Sequence, residues 1–196
     1  MIADKKTLLI PFVVLIVLFT TFLRVEAAKP MDDGLYVNGL FLLSGTSHDN
    51  IKAKLGKDES RFAGEYQGKP TVNYVWKLKN GGYLTAEIDN IGALIKATLA
   101  ADGIKKVGKD CFAVLDSKKV LLLQATLGEI RKRYAGGTIS EVIRGEGYSM
   151  QSYSFPFGPE NSYEMVFTVS WEWTDGIGEI SNDKRDKLKI TSVEVR

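Results

Sequence analysis

The chain has 196 residues, 44% of them hydrophobic, with 26 Lys and Arg against 24 Asp and Glu. That length buries a sufficient core for one globular unit or two small ones without disulfide or metal staples. The formal charge of +2 gives no reason to expect nucleic acid as a partner, and one Cys with one His excludes a zinc site built from four such ligands.

At the N-terminus, Lys5 and Lys6 precede an uncharged apolar run over residues 7–23, and Val25-Glu26-Ala27 forms a small-residue cleavage signal. This pattern predicts a secretory signal over residues 1–27, with Ala28 as the first mature residue. The alternative is an uncleaved inner-membrane anchor, the only membrane contact the sequence offers. Both place the remainder outside the cytoplasm, periplasmic or secreted, because the two lysines stay inside. No Cys follows the apolar run to carry a lipid.

Residues 35–43 are apolar enough for a short strand. Residues 45–56 then read as a helix: Ser47 as N-cap, Asp49 in the first turn, Ile51 and Leu55 on one face, and Gly56 as terminator. Residues 57–69 have two glycines, several charges and no period, the signature of a loop. In residues 71–78, Val72, Tyr74, Trp76 and Leu78 alternate with Thr71, Asn73, Val75 and Lys77, as in a strand with one covered face. A turn at Asn80-Gly81-Gly82 leads to a second strand over residues 83–89, and Asn90-Ile91-Gly92 leads to a third over 94–100. Packing Ile51 and Leu55 onto Val72, Trp76, Leu84 and Ile88 would bury the apolar sides of helix and meander together.

A polar connector at residues 102–108 divides a first repeat, residues 28–101, from a second, residues 109–196. The second opens with short strands at 111–115 and 120–123. A helix follows, in which Thr126 and Glu129 form a capping-box pattern. Thr126, Ile130 and Tyr134 fall 79 residues after Ser47, Ile51 and Leu55. Strands are expected at 148–157, 162–173 and 187–195. Tyr163, Met165, Phe167, Val169, Trp171 and Trp173 share one face of the second of these. The predicted class is α+β: two tandem helix-plus-antiparallel-meander repeats.

The run Gly-x-[Ser/Thr]-x-x-x-Ile-x-x-x-Leu-Gly at residues 45–56, followed by a strand bearing Tyr74 and Trp76, a Gly turn and two more strands, resembles the SmpA/OmlA envelope-lipoprotein family. It is also similar to the wider fold of the beta-lactamase inhibitory protein, described as BLIP-like. Thr126, Ile130, Tyr134 and Gly136 carry the likeness into the second half. The chain departs from the lipoproteins in lacking their lipobox Cys. The resemblance implies a non-enzymatic exported protein-binding module, an inhibitor or immunity-type protein of the bacterial envelope. An envelope-assembly accessory protein is the alternative, and an exported carboxylate-dependent hydrolase a further one.

The chemistry legible in the residues is sparse. His48 is the sole imidazole, so any Ser–His or Cys–His nucleophilic site must include it. Its place in the first helical turn points to the surface or to packing near the cap. Cys111 reads as a small buried hydrophobe, with an intermolecular disulfide as the alternative. Glu87 and Asp89 share a strand face with the spacing of paired carboxylates, and cross-strand ion pairs with Lys77 and Lys96 on a solvated face account for all four. Asp175-Gly176-Ile177-Gly178-Glu179 lacks the spacing of a calcium loop, and Gly145-Glu146-Gly147 lacks the helix and third Gly of a dinucleotide site, so no metal or cofactor is expected. The expected contact surface for another protein is the polar sheet face, through Asn73, Lys77, Tyr83, Thr85, Glu87 and Lys96. The aromatic strand end with Tyr153, Phe155 and Phe157 joins it, because such side chains dominate interface hot spots.

Overall fold

The computed structural model describes residues 31–79, 81–103, 107–172 and 180–196, and residues 32–196 make up one compact unit. The N-terminal signal segment, Trp173 and the loop carrying Asp175 and Glu179 lie outside the described residues. No helix among the described residues is long and apolar enough to cross a membrane.

The first expected strand is a hairpin. β1 (Gly34–Val37) and β2 (Leu40–Leu42) are joined by Asn38 and Gly39, both at positive φ (51° and 77°). That is the geometry a two-residue hairpin turn demands and the reason Asn-Gly suits it. Helix α1 (His48–Leu55) starts where expected, with the Ser47 side chain accepting from the Asn50 N–H. β3 (Ser60–Tyr66) occupies the segment expected to be a loop. β4 (Lys69–Lys77), β5 (Tyr83–Ile88) and β6 (Leu94–Ala100) form the expected meander.

The second half opens with β7 (Cys111–Leu115) and β8 (Lys118–Val120) and continues into α2 (Leu127–Arg133), whose N-terminus carries the full capping box of Thr126 and Glu129. β9 (Thr138–Ile139), β10 (Ile143–Arg144), β11 (Tyr148–Phe157), β12 (Tyr163–Glu172), α3 (Asn182–Asp186) and β13 (Ser192–Val195) complete the chain.

The strands merge into two antiparallel sheets. One is four-stranded in the order β2-β1-β7-β8. The other is nine-stranded in the order β10-β11-β12-β13-β6-β5-β4-β3, with β9 also on β11. Each sheet is joined at its middle by strands from opposite halves of the chain: β1 with β7, and β13 with β6. Each N-cap also sits beside a strand of the large sheet's central pair, through backbone bridges Ser47–Ala93 just before β6 and Thr126–Lys189 just before β13.

This corrects the expected class. The protein is mostly β, and the α+β reading as two helix-plus-meander repeats is overturned. The physical reason is coverage. Helices of 8, 7 and 5 residues cannot shield a nine-stranded sheet, so the four-stranded sheet supplies the second layer. Its inward residues Leu35, Val37, Ala113 and Leu115, with Ile51 of α1 and Leu127 and Ile130 of α2, share one core with Trp76, Leu84, Leu99, Phe167 and Val193 of the large sheet. Tyr134 closes that core at the end of α2; it is buried, and its hydroxyl donates to the Leu115 carbonyl at 2.9 Å.

Candidate binding surface

The core-facing side of the large sheet is the apolar one. Trp76, Leu84, Leu99, Val193, Phe167 and Tyr153 form one transverse row. Because side chains alternate across a strand, the intervening rows point the other way. One of these runs Val75, Thr85, Thr98, Glu194, Val166, Ser154, Thr138. The next runs Lys77, Tyr83, Ala100, Ser192, Thr168, Ser152. A third opens with Phe62, Asn73, Glu87 and Lys96.

Two different environments lie along this face. At β4 and β5 the polar side chains are buried: Glu87 is 5% exposed, with Thr71 and Asn73 similarly covered. The Thr71 hydroxyl donates to Glu87 Oε1 at 2.7 Å, and Lys96 Nζ lies 3.1 Å from Glu87 Oε2. Gly64 on β3 leaves room for this cluster, since a Cβ at that position would press on Asn73 Nδ2 and on Thr71 Oγ1 at 2.6 Å and force those buried side chains to shift.

From β6 to β9 the face is instead an open trough of about 330 Å³. It is lined by Thr98, Thr138, Ser140, Ser152, Ser154, Val166, Thr168, Ser192, Glu194 and Arg196. Seven of these ten side chains end in hydroxyls, each able to donate and accept. The charged groups are held among themselves: Arg196 Nε donates to Glu164 Oε2 at 2.7 Å, and Glu194 accepts from Thr98 Oγ1 at 3.2 Å and, more loosely, from Arg196 at 3.4 Å. Burial disfavours the Arg196 guanidinium charge, but Glu164, then Glu194 and Tyr66, outweigh it and hold its pKa above the ordinary value.

The six residues expected from the first half lie on this face. Asn73, Glu87 and Lys96 fall in one row; Thr85 shares the Thr98–Glu194 row; Lys77 and Tyr83 share the Ser192–Thr168 row, with Lys77 Nζ 5.6 Å from the Tyr83 ring centre. The ion-pair expectation needs correction in part. Glu87 and Lys96 do pair across strands, but Glu87 is buried rather than solvated. Asp89 accepts from the Ile91 and Ala93 N–H groups of its own turn. Tyr153, Phe155 and Phe157 stand on the opposite, core-facing side. Tyr153 and Phe157 are buried, and Phe155 packs on Tyr134 with ring centres 5.5 Å apart. The Tyr153 hydroxyl donates to the Tyr134 carbonyl and accepts from the Gly137 N–H.

Sequence reading missed the trough itself. Its signal was present in the alternation of Ser152 and Ser154 with Tyr153 and Phe155, and of Thr168 with Phe167 and Val169. Short hydroxyl side chains bear no chemistry of their own, and only the register shows that they assemble.

His48 packs against Tyr74 with ring centres 4.0 Å apart and the planes tilted by 30°, and its Nε2 is buried without a hydrogen-bond partner among the described residues. Cys111 is buried beneath Asn38, with its Sγ 3.5 Å from Asn38 Oδ1, and burial pushes the thiol pKa up.

Fold and face together define a mostly β protein in which one side of a large antiparallel sheet is polar, packed in on itself around β4 and β5 and open along the trough from β6 to β9. No protein-family model and no curated protein matches the chain. Among solved structures it is similar to a Streptococcus mutans protein described as a candidate beta-lactamase inhibitor protein, at 12% identity and a TM-score of 0.28, covering 70% of this chain and 84% of that one. A likeness that distant carries no argument about either fold or function.

Proposed function

We propose that the protein is an exported, non-enzymatic protein-binding module whose contact surface is the open trough on the polar face of the large sheet. The observation that carries this reading is the trough: hydroxyls from β6, β9, β11, β12 and β13, with Ser140, line one open, half-buried surface among the described residues. Groups of this kind suit the backbone amides and polar side chains of an extended segment of another protein. Two acids of this face are engaged in holding the sheet, Glu87 by Lys96 and Thr71, and Glu164 by Arg196, which supports a binding role over a hydrolase that would use them.

Export rests on the N-terminal pattern of Lys5 and Lys6, the apolar run and Val25-Glu26-Ala27. It places the protein in the periplasm or outside the cell, or at the inner membrane if the segment is retained. Within that compartment an inhibitor or immunity-type role is the reading adopted. An envelope-assembly accessory role is the alternative, with the sequence resemblance to the SmpA/OmlA proteins in its favour.

The test fills the trough. Ser152→Arg and Thr168→Arg each place a long cation among the hydroxyls without touching the core. Purification of the tagged full chain from detergent-solubilised envelopes is expected to recover a defined partner with wild type and to lose it with both variants, at unchanged circular dichroism. Equal recovery by all three proteins would contradict the proposal.

A further inference from the structure

The two edges of the large sheet are built differently. On the β11 side the edge is broken into β9 and β10, two residues each. Short, interrupted strands are a usual way of blunting a sheet edge against pairing. On the other side β3 runs unbroken for seven residues, Ser60–Tyr66, is exposed along almost its whole length, and has no strand beyond it among the described residues. It has no Pro and no Lys, and Phe62, 55% exposed, and Tyr66, 39% exposed, stand on it uncovered. A strand of this kind is a template for another strand.

Its sequence, Ser-Arg-Phe-Ala-Gly-Glu-Tyr, fits itself. Laid antiparallel against a second copy about a two-fold axis through Ala63, Arg61 falls opposite Glu65 of the partner, and Glu65 opposite the partner's Arg61. Phe62 falls opposite the partner's Gly64, where no side chain competes for the space, and Ser60 opposite the partner's Tyr66. Every pair in this register joins odd to odd or even to even. The backbone groups that point outward on one copy therefore meet those that point outward on the other. The two Phe62 rings become diagonal neighbours on one face, within reach of each other. Slipping the register by one residue in either copy would set Arg61 against the wrong face of its partner strand.

We infer that β3 is a self-association edge: two copies of this chain pair through Ser60–Tyr66 in the register centred on Ala63, held by two Arg61–Glu65 ion pairs and the Phe62 rings. Because the axis stands perpendicular to the sheet, both polar troughs face the same side of the dimer, so a partner bearing two sites would meet both. The inference does not depend on what the trough binds.

The charge pattern supplies a self-checking test. Arg61→Glu sets two carboxylates opposite each other twice, and Glu65→Arg does the same with two cations. Yet one copy of each satisfies both pairs. Sedimentation of the full chain in a non-ionic detergent is expected to show a dimer for wild type and for the double swap Arg61→Glu/Glu65→Arg. Each single variant should dimerise at least about tenfold more weakly, and an equimolar mixture of the two should recover the dimer as a heterodimer. All these proteins carry the same N-terminal segment, so differences between them report on β3. Equal masses for wild type and both single variants, a mixture that fails to pair, or a wild type monomeric at its highest soluble concentration would each overturn the inference.

Discussion

The two ends of the polar sheet face solve the same problem in opposite ways. Around β4 and β5 the polar residues are packed against one another. Glu87 is buried, satisfied by Thr71 and Lys96, and Gly64 leaves room for the Asn73 side chain. Around β11, β12 and β13 the residues are short and their hydroxyls line an open trough, with charges only at Glu194 and Arg196. The first region contributes to holding the sheet, and the second leaves a surface unfilled. Charge alone is therefore a poor guide to where a sheet face binds; a charge that is buried and paired is already in use.

The sharpest way to break this comparison is to remove one cation from each end. Lys96→Met leaves the buried Glu87 carboxylate without its counter-ion and is expected to cost about 2–4 kcal/mol, while Arg196→Met, at a half-exposed site, is expected to cost under about 1 kcal/mol. Urea unfolding of both variants measures the difference, and equal costs would remove the distinction. Next in size is Gly64→Ala, which sets a methyl group against Asn73 and Thr71 and should destabilise by about 1–3 kcal/mol. Ser152→Ala with Thr168→Ala, which deletes one hydroxyl pair of the trough (2.8 Å apart), should change stability by only about 1 kcal/mol. The smallest expected effect calibrates the others. The Thr126 N–H, then its hydroxyl, hold the exposed Glu129 carboxyl below its ordinary 4.5. Its stabilisation is present above that pH and is lost as pH falls through the lowered value. Glu129→Gln should flatten this acid limb in thermal melts without touching the face.

How much of this was legible in the sequence follows from the same physics. Strands β4, β5 and β6 were readable because each has one face in the core and one outside it, which writes alternation into Val72–Trp76 and Leu84–Ile88. The helix starts were readable because capping uses specific side chains, and Ser47, Thr126 and Glu129 all cap as expected. The pairing of Glu87 with Lys96 was also readable, though not the burial of Glu87. β3 was not legible: an edge strand exposed on both sides leaves no period in Arg61, Phe62, Glu65 and Tyr66. The α+β expectation failed because two well-capped helices stand out strongly in sequence while short strands such as β8 and β9 hardly register. Tyr153, Phe155 and Phe157 looked like an interface because they end beside a Pro/Gly loop, yet they face Tyr134 and the core. The trough was invisible because its hydroxyls are dispersed over strands as far apart in sequence as Thr98 and Ser192, and only pairing brings them together.

The central claim, that the trough is where another protein docks, is tested most directly by site-specific photo-crosslinking. The full chain carries benzoylphenylalanine in place of Ser152 or Thr168 in the trough, or of the exposed Ile91 on the β5–β6 turn, and is irradiated in intact envelopes. Both trough positions are expected to capture the same partner protein and the Ile91 position to miss it. Capture of that protein equally from Ile91, or no adduct from either trough position, would contradict the account.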